Sequence, residues 1–225
     1  MEKEDDKLST LLDVVIEQYL SKWDPVWSKL LHTLWVDYAP STLRKYLNAL
    51  EKEWLVYQAY NSSWRIPTIE WLKLYVDSLM WAIVPVTTYD FDLQKSRTWL
   101  RYIVETLSTY IDGVVTWYIA YDEYYFLGIN KLLSWDDISQ PQLLKHIIWF
   151  VEQKKIIEFL IAKPMKDQHI YHTFIDEGDQ VISVLYTKLT VAWYEAVIAV
   201  IGPVRMNYKN NLLALKQFLS AYSHV

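Results

Sequence analysis

Apolar residues recur at helical spacing through the first 52 positions, and this pattern constrains the N-terminal part of the chain to a small helical bundle. Leucines, valines and isoleucines three and four residues apart predict an amphipathic helix over residues 8–22. A turn at residues 23–25 precedes a second short helix around Leu31. A third helix begins near Pro40, a residue suited to a first helical turn. A helix, a short turn and a helix with a polar outer face form the helix-turn-helix arrangement.

The third helix combines a leucine stripe with a polar outer face. Leu43, Leu47 and Leu50 form the stripe, and two short strands follow over residues 55–58 and 65–66. The hairpin tip between these strands stands where a winged helix has its wing. Arg and Asn side chains can read base edges in the major groove, whereas Ser, Thr and Lys suit phosphates. The candidate DNA-contacting residues on the helix and the wing are Ser41, Thr42, Arg44, Lys45, Asn48, Asn61, Ser62, Ser63 and Arg65.

Charge does not by itself identify this part of the chain as a DNA-binding domain. Residues 1–80 contain nine Lys/Arg and twelve Asp/Glu, a net charge of −3, where DNA-binding domains are usually basic. Residues 38–73 contain five basic and three acidic residues, a net charge of +2. The pattern therefore leaves two alternatives open, a DNA-contacting face and an ordinary solvated helix face.

The rest of the chain predicts an α+β domain. Thr68 can cap a helix that runs to about Met80. The expected apolar set of this helix is Leu72, Leu74, Tyr75 and Leu79. Residues 81–89, which include a proline, are the candidate linker. Beyond it we expect, in order, helix Asp90–Tyr110, strands Val114–Ala120 and Tyr124–Leu127, helix Gln142–Ile161, strands His169–Ile175, Val181–Lys188 and Tyr194–Ile201, and helix Asn207–Tyr222. A small sheet with helices around it is an α+β architecture. The predicted domains are residues 1–80 and 90–225, joined by the linker.

Several classes of protein are excluded by what the sequence lacks. Without cysteine it has no disulfide, thiolate metal site or Cys nucleophile. Its start is acidic and polar, unlike a signal peptide, and its apolar runs are shorter than the roughly 18 residues that a membrane span needs. We therefore expect a cytoplasmic protein without a membrane partner.

The sequence favours neither an enzyme nor a metalloprotein. Adjacent carboxylates such as Asp136 and Asp137 do not converge as an acid/base pair, and no Gly-rich phosphate loop is visible. His169 and His172 are the main candidate metal ligands, but on a strand these positions point to opposite faces. We expect no catalytic site, no metal and no cofactor.

Two groups of motifs, widely separated along the chain, carry a family resemblance. The first group is Asp24-Pro25-Val26-Trp27-Ser28, Ser41-Thr42-Leu43-Arg44 leading into Leu50-Glu51, Ser63-Trp64-Arg65-Ile66-Pro67-Thr68 and Tyr75-Val76-Asp77. The second is Val200-Ile201-Gly202-Pro203-Val204-Arg205-Met206-Asn207-Tyr208. This second motif is interpreted as a strand-to-helix turn with Asn207 as N-cap, the alternative being a helix N-terminus that binds an anion or partner beside Arg205. Together the two groups resemble the HrcA family of heat-inducible transcription repressors.

The resemblance implies a winged-helix DNA-binding domain followed by a GAF-like domain. It further implies a homodimer that binds double-stranded DNA at an inverted-repeat operator upstream of chaperone genes, with a GroEL-type chaperonin supporting the active state. Family members usually carry a dimerisation domain inserted in the GAF-like part. Little room separates residues 114–120 from residues 124–127, so we expect that insertion to be missing. The alternative is a GAF-like module that senses a ligand or partner, with weak or no DNA binding.

The numbers of glycine and tryptophan are unusual. The four Gly and 12 Trp together make up about 7% of the chain, the share that glycine alone usually has. Some bacterial lineages read the codon UGA as glycine, whereas a common translation table reads it as tryptophan. We hypothesise that tryptophans of this sequence are glycine in the living protein, encoded by UGA. The alternative is a Trp-rich protein, and the coding DNA decides between the two. The first six Trp stand where the family pattern has glycine: Trp23, Trp27, Trp35, Trp54, Trp64 and Trp71.

Overall fold

The fold is that of a computed structural model of the 225-residue chain. It describes residues 2–22, 25–34, 38–58, 64–82, 99–119, 123–134, 141–161, 163–176, 181–191 and 194–223. The chain divides into two compact units, Met1–Ser78 and Leu79–Val225. The first two residues of the expected linker, 81 and 82, end a helix, and the others lie outside the described residues.

The first unit combines helices with a small antiparallel sheet. The helices expected over the first 52 residues are present, as are the two short strands and the helix after them. Its elements are α1 (Glu2–Lys22), β1 (Val26–Trp27), α2 (Ser28–Leu34), α3 (Pro40–Lys52), β2 (Val56–Gln58), β3 (Trp64–Pro67) and α4 (Ile69–Ala82). The strand order is β1-β3-β2, so β3, the last strand of this unit along the chain, is central.

The leucine stripe of α3 forms the centre of the first unit's core. Leu43, Leu47 and Leu50 are at most 2% exposed and pack with Leu11 and Val15 of α1. Burial of such side chains stabilises the unit by about 1.5–3 kcal/mol each. The amphipathic pattern thus dictates which face of α3 turns inward and which remains outside.

The predicted cap of α4 is confirmed, whereas one predicted core position is wrong. The Trp71 amide donates to Thr68 Oγ1 at 3.3 Å, which satisfies one of the unpaired N–H groups of the first turn. Leu74, expected in the apolar set of this helix, is 55% exposed. Val76 is fully buried instead, because it shares a helix face with Leu72.

The second unit is a five-stranded antiparallel sheet with helices around it, which confirms the predicted α+β class. The strand order is β5-β4-β8-β7-β6. Its elements are α5 (Trp99–Tyr110), β4 (Val114–Ile119), β5 (Glu123–Leu127), α6 (Ile129–Ser134), α7 (Pro141–Glu152), α8 (Lys155–Ile161), β6 (Ile170–Asp176), β7 (Val181–Val191), β8 (Tyr194–Pro203) and α9 (Tyr208–Ser223). Residues 90–98 of the first predicted helix lie outside the described residues.

Both faces of this sheet are covered. Val184 and Leu185 are neighbours on β7, point to opposite faces and are both fully buried. On the Val184 face, α7 and α8 supply Phe150 and Ile156 to the same core cluster. The sheet therefore lies inside the unit rather than at its surface.

The single long helix predicted over residues 142–161 is wrong, because the structure divides it into α7 and α8. Lys154 has a φ of 56°, in the left-handed region, and its amide donates to the Val151 carbonyl at 3.1 Å. Both helices pack on the same face of the sheet, so their apolar residues continue one pattern across the break. The apolar periodicity of residues 142–161 therefore gave no sign of the turn at Lys154.

The C-terminal motif is a strand-to-helix turn with the predicted cap. The Asn210 amide donates to Asn207 Oδ1 at 3.1 Å, which confirms Asn207 as the N-cap of α9. Asn211, fully buried, exchanges two 2.8 Å hydrogen bonds with the backbone of Asp112 and so ties α9 to the start of β4. Across the described ranges, none of the helices is long and apolar enough to cross a bilayer.

Candidate functional site

The outer side of α3 carries a continuous polar surface. Ser41, Lys45, Asn48 and Lys52 follow one another at intervals of four, three and four residues and are all exposed. This spacing places them along one side of a helix, and Arg44, also exposed, lies at its edge. We refer to these five residues as the α3 face. Thr42, the remaining candidate on this helix, is half-buried.

Local contacts hold the start of α3 in place. The Thr42 and Leu43 amides both donate to the Ala39 carbonyl, at 2.9 and 3.1 Å. His32, near the end of α2, places Nδ1 2.8 Å from the Tyr38 carbonyl; since a carbonyl only accepts, the ring donates. The His32 bond ties the end of α2 to Tyr38, two residues before α3, so the start of α3 has a defined position relative to α2.

The α3 face is positive although the chain is negative. Three of its five side chains are cations and the other two are neutral, whereas the whole chain has a net charge of −5. Local charge of one sign attracts the opposite charge over about a Debye length, roughly 8 Å at physiological salt. The arrangement can bind a polyanion through cations and read hydrogen-bonding groups through Asn48 and Ser41.

Arg65 is not on the surface, which differs from the expected exposed wing side chain. Its side chain is 6% exposed, and one guanidinium nitrogen lies 2.7 Å from a Glu51 carboxylate oxygen and 3.0 Å from Asn48 Oδ1. Positions along β3 alternate between half-buried and buried, and Arg65 occupies a buried one. Because β3 is the central strand, its inward side chains meet the helices of the unit.

The other three wing residues remain predicted DNA contacts. Asn61, Ser62 and Ser63 lie outside the described residues, between β2 and β3. The two strands that flank them pair antiparallel, with Gln58 opposite Arg65.

Two residues of this region were missed by sequence reasoning. Lys52 extends the α3 face by one turn, and its distance of seven residues from Lys45 is a signal that could have revealed it. Glu51 is the carboxylate partner of Arg65, 14 residues away along the chain. The spacing of these two residues in the sequence does not predict the pair, since it forms only when β3 packs against α3.

The histidines of the second unit take part in packing and hydrogen bonding. His172 Nε2 lies 3.2 Å from Ser183 Oγ, which lies 2.9 Å from the Tyr208 hydroxyl. That hydroxyl is 2.6 Å from the Val204 carbonyl and therefore donates to it, so Ser183 donates to Tyr208 and the imidazole N–H donates to Ser183. His169 lies just before β6. Within the described ranges, no three His, Asp or Glu residues are grouped to hold a metal ion.

Comparison with known proteins gives this fold a family. Residues 85–211, more than half of the chain, match the model of the HrcA protein C-terminal domain. A crystal structure of a hypothetical protein superposes with a TM-score of 0.76 at 14% identity, covering 97% of both chains, and so has the same fold.

Two relatives match part of the chain. A heat-inducible transcription repressor HrcA from Kineococcus radiotolerans is 38% identical over 78 residues, which is 33% of this chain and 22% of that protein. One from Thermosynechococcus vestitus is 33% identical over 93 residues, 41% of this chain and 26% of that protein. The matched segments thus span about a quarter of these relatives, whereas the match to the family model spans most of the second unit. On that match, the chain belongs to the HrcA family.

Proposed function

We propose that this chain is a transcription repressor of heat-shock genes that acts in the cytoplasm by binding an inverted-repeat DNA operator. In this proposal the first unit is a winged helix-turn-helix domain of residues 1–80, and the second is a GAF-like domain of residues 90–225. Alpha-helix α3 enters the major groove, and the segment between β2 and β3 is the wing. The observation that carries the proposal is the positive α3 face on a helix that follows α2 after a short connection.

The α3 face has the two kinds of group that a DNA-reading helix needs. Arg44, Lys45 and Lys52 are exposed cations suited to phosphates, and Arg44 can also bind guanine through two donors. Ser41 and Asn48 are exposed hydrogen-bonding groups on the same side. Thr42, half-buried beside them, suits the phosphate backbone, as do Asn61, Ser62 and Ser63 of the wing.

The family supports the regulatory part of the proposal. The two relatives described above are both named heat-inducible transcription repressors, a description that includes no catalytic role. An inverted repeat has two-fold symmetry, which a homodimer matches by placing one α3 in each half-site. We propose that the second unit supports this dimer and that a GroEL-type chaperonin supports its DNA-binding form.

The test is equilibrium binding to the DNA upstream of the chaperone genes of the source genome. A labelled inverted-repeat duplex and a scrambled duplex are titrated at several salt concentrations, and binding is read by fluorescence anisotropy. The protein is prepared with the printed sequence and, in parallel, with glycine at its first six Trp positions. We expect the inverted repeat to bind at least about a thousandfold more tightly than the scrambled duplex.

A charge-matched pair of variants assigns the binding to α3. The double variant Arg44→Ala/Lys45→Ala should lose at least about tenfold in affinity and lower the salt dependence, by about 0.9 in slope for each phosphate contact removed. The control Lys145→Ala/Lys166→Ala removes the same charge from exposed positions of the second unit and should change neither.

Two results would contradict the proposal. If neither preparation distinguishes the inverted repeat from the scrambled duplex, the chain is not an operator-binding repressor. If both double variants weaken binding equally, the effect is one of net charge and α3 is not the reading helix. Retained partner or ligand binding by a protein without operator binding would favour the alternative of a sensing module.

Dimerisation and the chaperonin are tested separately. With the operator present, sedimentation equilibrium should give the mass of one duplex plus twice that of the 26.9 kDa chain. Adding a GroEL-type chaperonin should increase the fraction of operator-bound protein after a heat step, and chaperonin saturated with unfolded protein should not.

A further inference from the structure

A buried cation joins the central strand of the first unit to α3. Arg65 of β3 is 5% exposed as a residue, and its guanidinium contacts both Glu51 and Asn48 on successive turns of the helix. A second nitrogen of the same group donates to the Trp64 carbonyl at 3.3 Å. Arg65 is therefore held on the strand side as well as the helix side, and its charge faces the inside of the unit rather than solvent.

The chemistry of Arg65 determines which way the Asn48 amide turns. A guanidinium has only donors, so the Asn48 atom that it contacts at 3.0 Å has to be the carbonyl oxygen. The amide NH2 group of this exposed residue is then directed away from Arg65. Asn48 lies in the middle of the α3 face, and it presents a donor there.

Such a pair is a poor source of stability but a good source of orientation. Replacing a buried ion pair by apolar residues of similar volume is often neutral, because desolvation offsets the attraction. In Arg65, one guanidinium nitrogen bonds Glu51 and Asn48 on α3 while a second bonds the Trp64 carbonyl on β3, so the planar group restricts both distance and angle between helix and strand. The pair therefore limits how α3 turns and slides against β3.

We propose that Arg65 is a positioning residue for DNA recognition, which touches no DNA and orients Asn48 so that its NH2 group donates to an acceptor on a base edge. This rests on the proposed function of α3. Guanine is the base that fits, since its major-groove edge presents two acceptors, N7 and O6. Glu51 neutralises Arg65 and completes the link to the helix.

The experiment compares the ratio of affinities for the operator and a scrambled duplex among four variants. Arg65→Lys keeps the charge but loses the planar fork, and Arg65→Met removes the charge. Asn48→Asp keeps an oxygen for Arg65 but removes the donor, and Arg44→Ala removes an exposed cation. Circular dichroism and thermal unfolding verify that each variant is folded; should Arg65→Met not fold, Arg65→Lys and Asn48→Asp decide.

A positioning role and a phosphate contact differ in salt dependence. For Arg65→Lys, which keeps every charge, we expect the ratio to fall at least about tenfold while scrambled-duplex affinity and its salt slope stay unchanged. Arg65→Met and Asn48→Asp each make the first unit one charge more negative, so they should lose the same ratio and also bind the scrambled duplex more weakly. Because neither removes a phosphate contact, their salt slope should stay unchanged. Arg44→Ala should instead lower the slope by about 0.9. Replacing each operator guanine in turn should identify one position at which wild type loses affinity and Asn48→Asp does not.

The outcomes separate this inference from the proposed function. A wild-type protein that does not distinguish the two duplexes removes both. A wild-type protein that does, together with Arg65 variants that keep the ratio, overturns only the positioning role. A lowered salt slope in Arg65→Met, as in Arg44→Ala, would mean that Arg65 contacts phosphate and would also overturn it.

Discussion

The two units differ in how they meet the same backbone requirement. All four glycines of the chain lie in the second unit, and the first has none. In the second unit Gly113 and Gly128 have positive φ angles, 141° and 102°, which side chains rarely adopt. In the first unit a positive φ of 59° belongs to Trp54. Positive φ angles thus occur in both units, and glycine adopts them only in the second, where Lys154 and Gln168 also do so at 56° and 57°.

The geometry at Trp54 explains why glycine suits this position. The Leu55 amide donates to the Leu50 carbonyl at 3.0 Å and the Trp54 amide to the Glu51 carbonyl at 3.1 Å. This pair of bonds is the Schellman motif, which ends many helices with a left-handed residue that is usually glycine. The Trp54 side chain is 83% exposed, so it gains little from packing. The backbone thus supports the hypothesis of a recoded glycine here.

Other early tryptophans do not share this signature. Trp27 and Trp64 face each other across β1 and β3, with ring centroids 6.1 Å apart, and Trp71 lies inside α4. Trp64 was expected at the hairpin tip but is the first residue of β3. Trp23 and Trp35 lie outside the described residues. Only the codons can test the hypothesis at these positions.

The largest change in stability should follow from placing a Cβ on a positive-φ residue of the second unit, as Trp54 has in the first. A Cβ on Gly128 would overlap the Gly113 carbonyl oxygen, at a φ that L-residues avoid. Gly128→Ala should therefore destabilise the second unit by about 3 kcal/mol. Urea unfolding measures the total, and hydrogen exchange on β4 and α6 locates it. An unchanged exchange rate there would show that the backbone relaxes easily.

The reverse change should stabilise the first unit by less. Trp54→Gly should stabilise it by about 1 kcal/mol, because a left-handed residue with a Cβ is disfavoured by that amount. Trp54→Ala is the control, since it removes the indole and keeps the Cβ, and it should lack this gain. Lys154→Gly makes the same change in the second unit, where φ is 56°, and should stabilise that unit for the same reason. Equal gains from Gly and Ala at position 54 would attribute the effect to the indole.

The smallest difference concerns two helix caps, that of Thr68 in the first unit and that of Asn207 in the second. Thr68→Ala and Asn207→Ala should each destabilise their unit by about 1 kcal/mol through loss of the N-cap bond. Thr68 should cost slightly more, because its hydroxyl also lies 3.1 Å from the Trp54 carbonyl and 3.3 Å from the Leu55 carbonyl. Thr68→Ser and Asn207→Asp keep a capping oxygen and should recover most of the loss in urea unfolding. An unchanged free energy of unfolding in Thr68→Ala and Asn207→Ala would contradict the stabilising role of these two caps.

Regular patterns in the sequence determined most of the elements. The period of 3.6 residues predicted the helices of the first unit and the buried stripe of Leu43, Leu47 and Leu50, because burial on one side repeats with the helix turn. Runs rich in β-branched residues predicted the strands of the second unit. Capping side chains act within three residues, so Thr68 and Asn207 were also recognisable. The exposed residues of α3 followed from the same periodicity.

Only the tertiary structure decided which polar residues are outside and where a pattern breaks. The sequence by itself showed Arg65 as a charged residue beside a turn, and strand packing against α3 placed it inside, next to Glu51 and Asn48. It showed one apolar run over residues 142–161, and two helices sharing a sheet face hid the turn at Lys154. Local periodicity is encoded between near neighbours, whereas the partner of a buried charge depends on residues that meet only when the chain has folded.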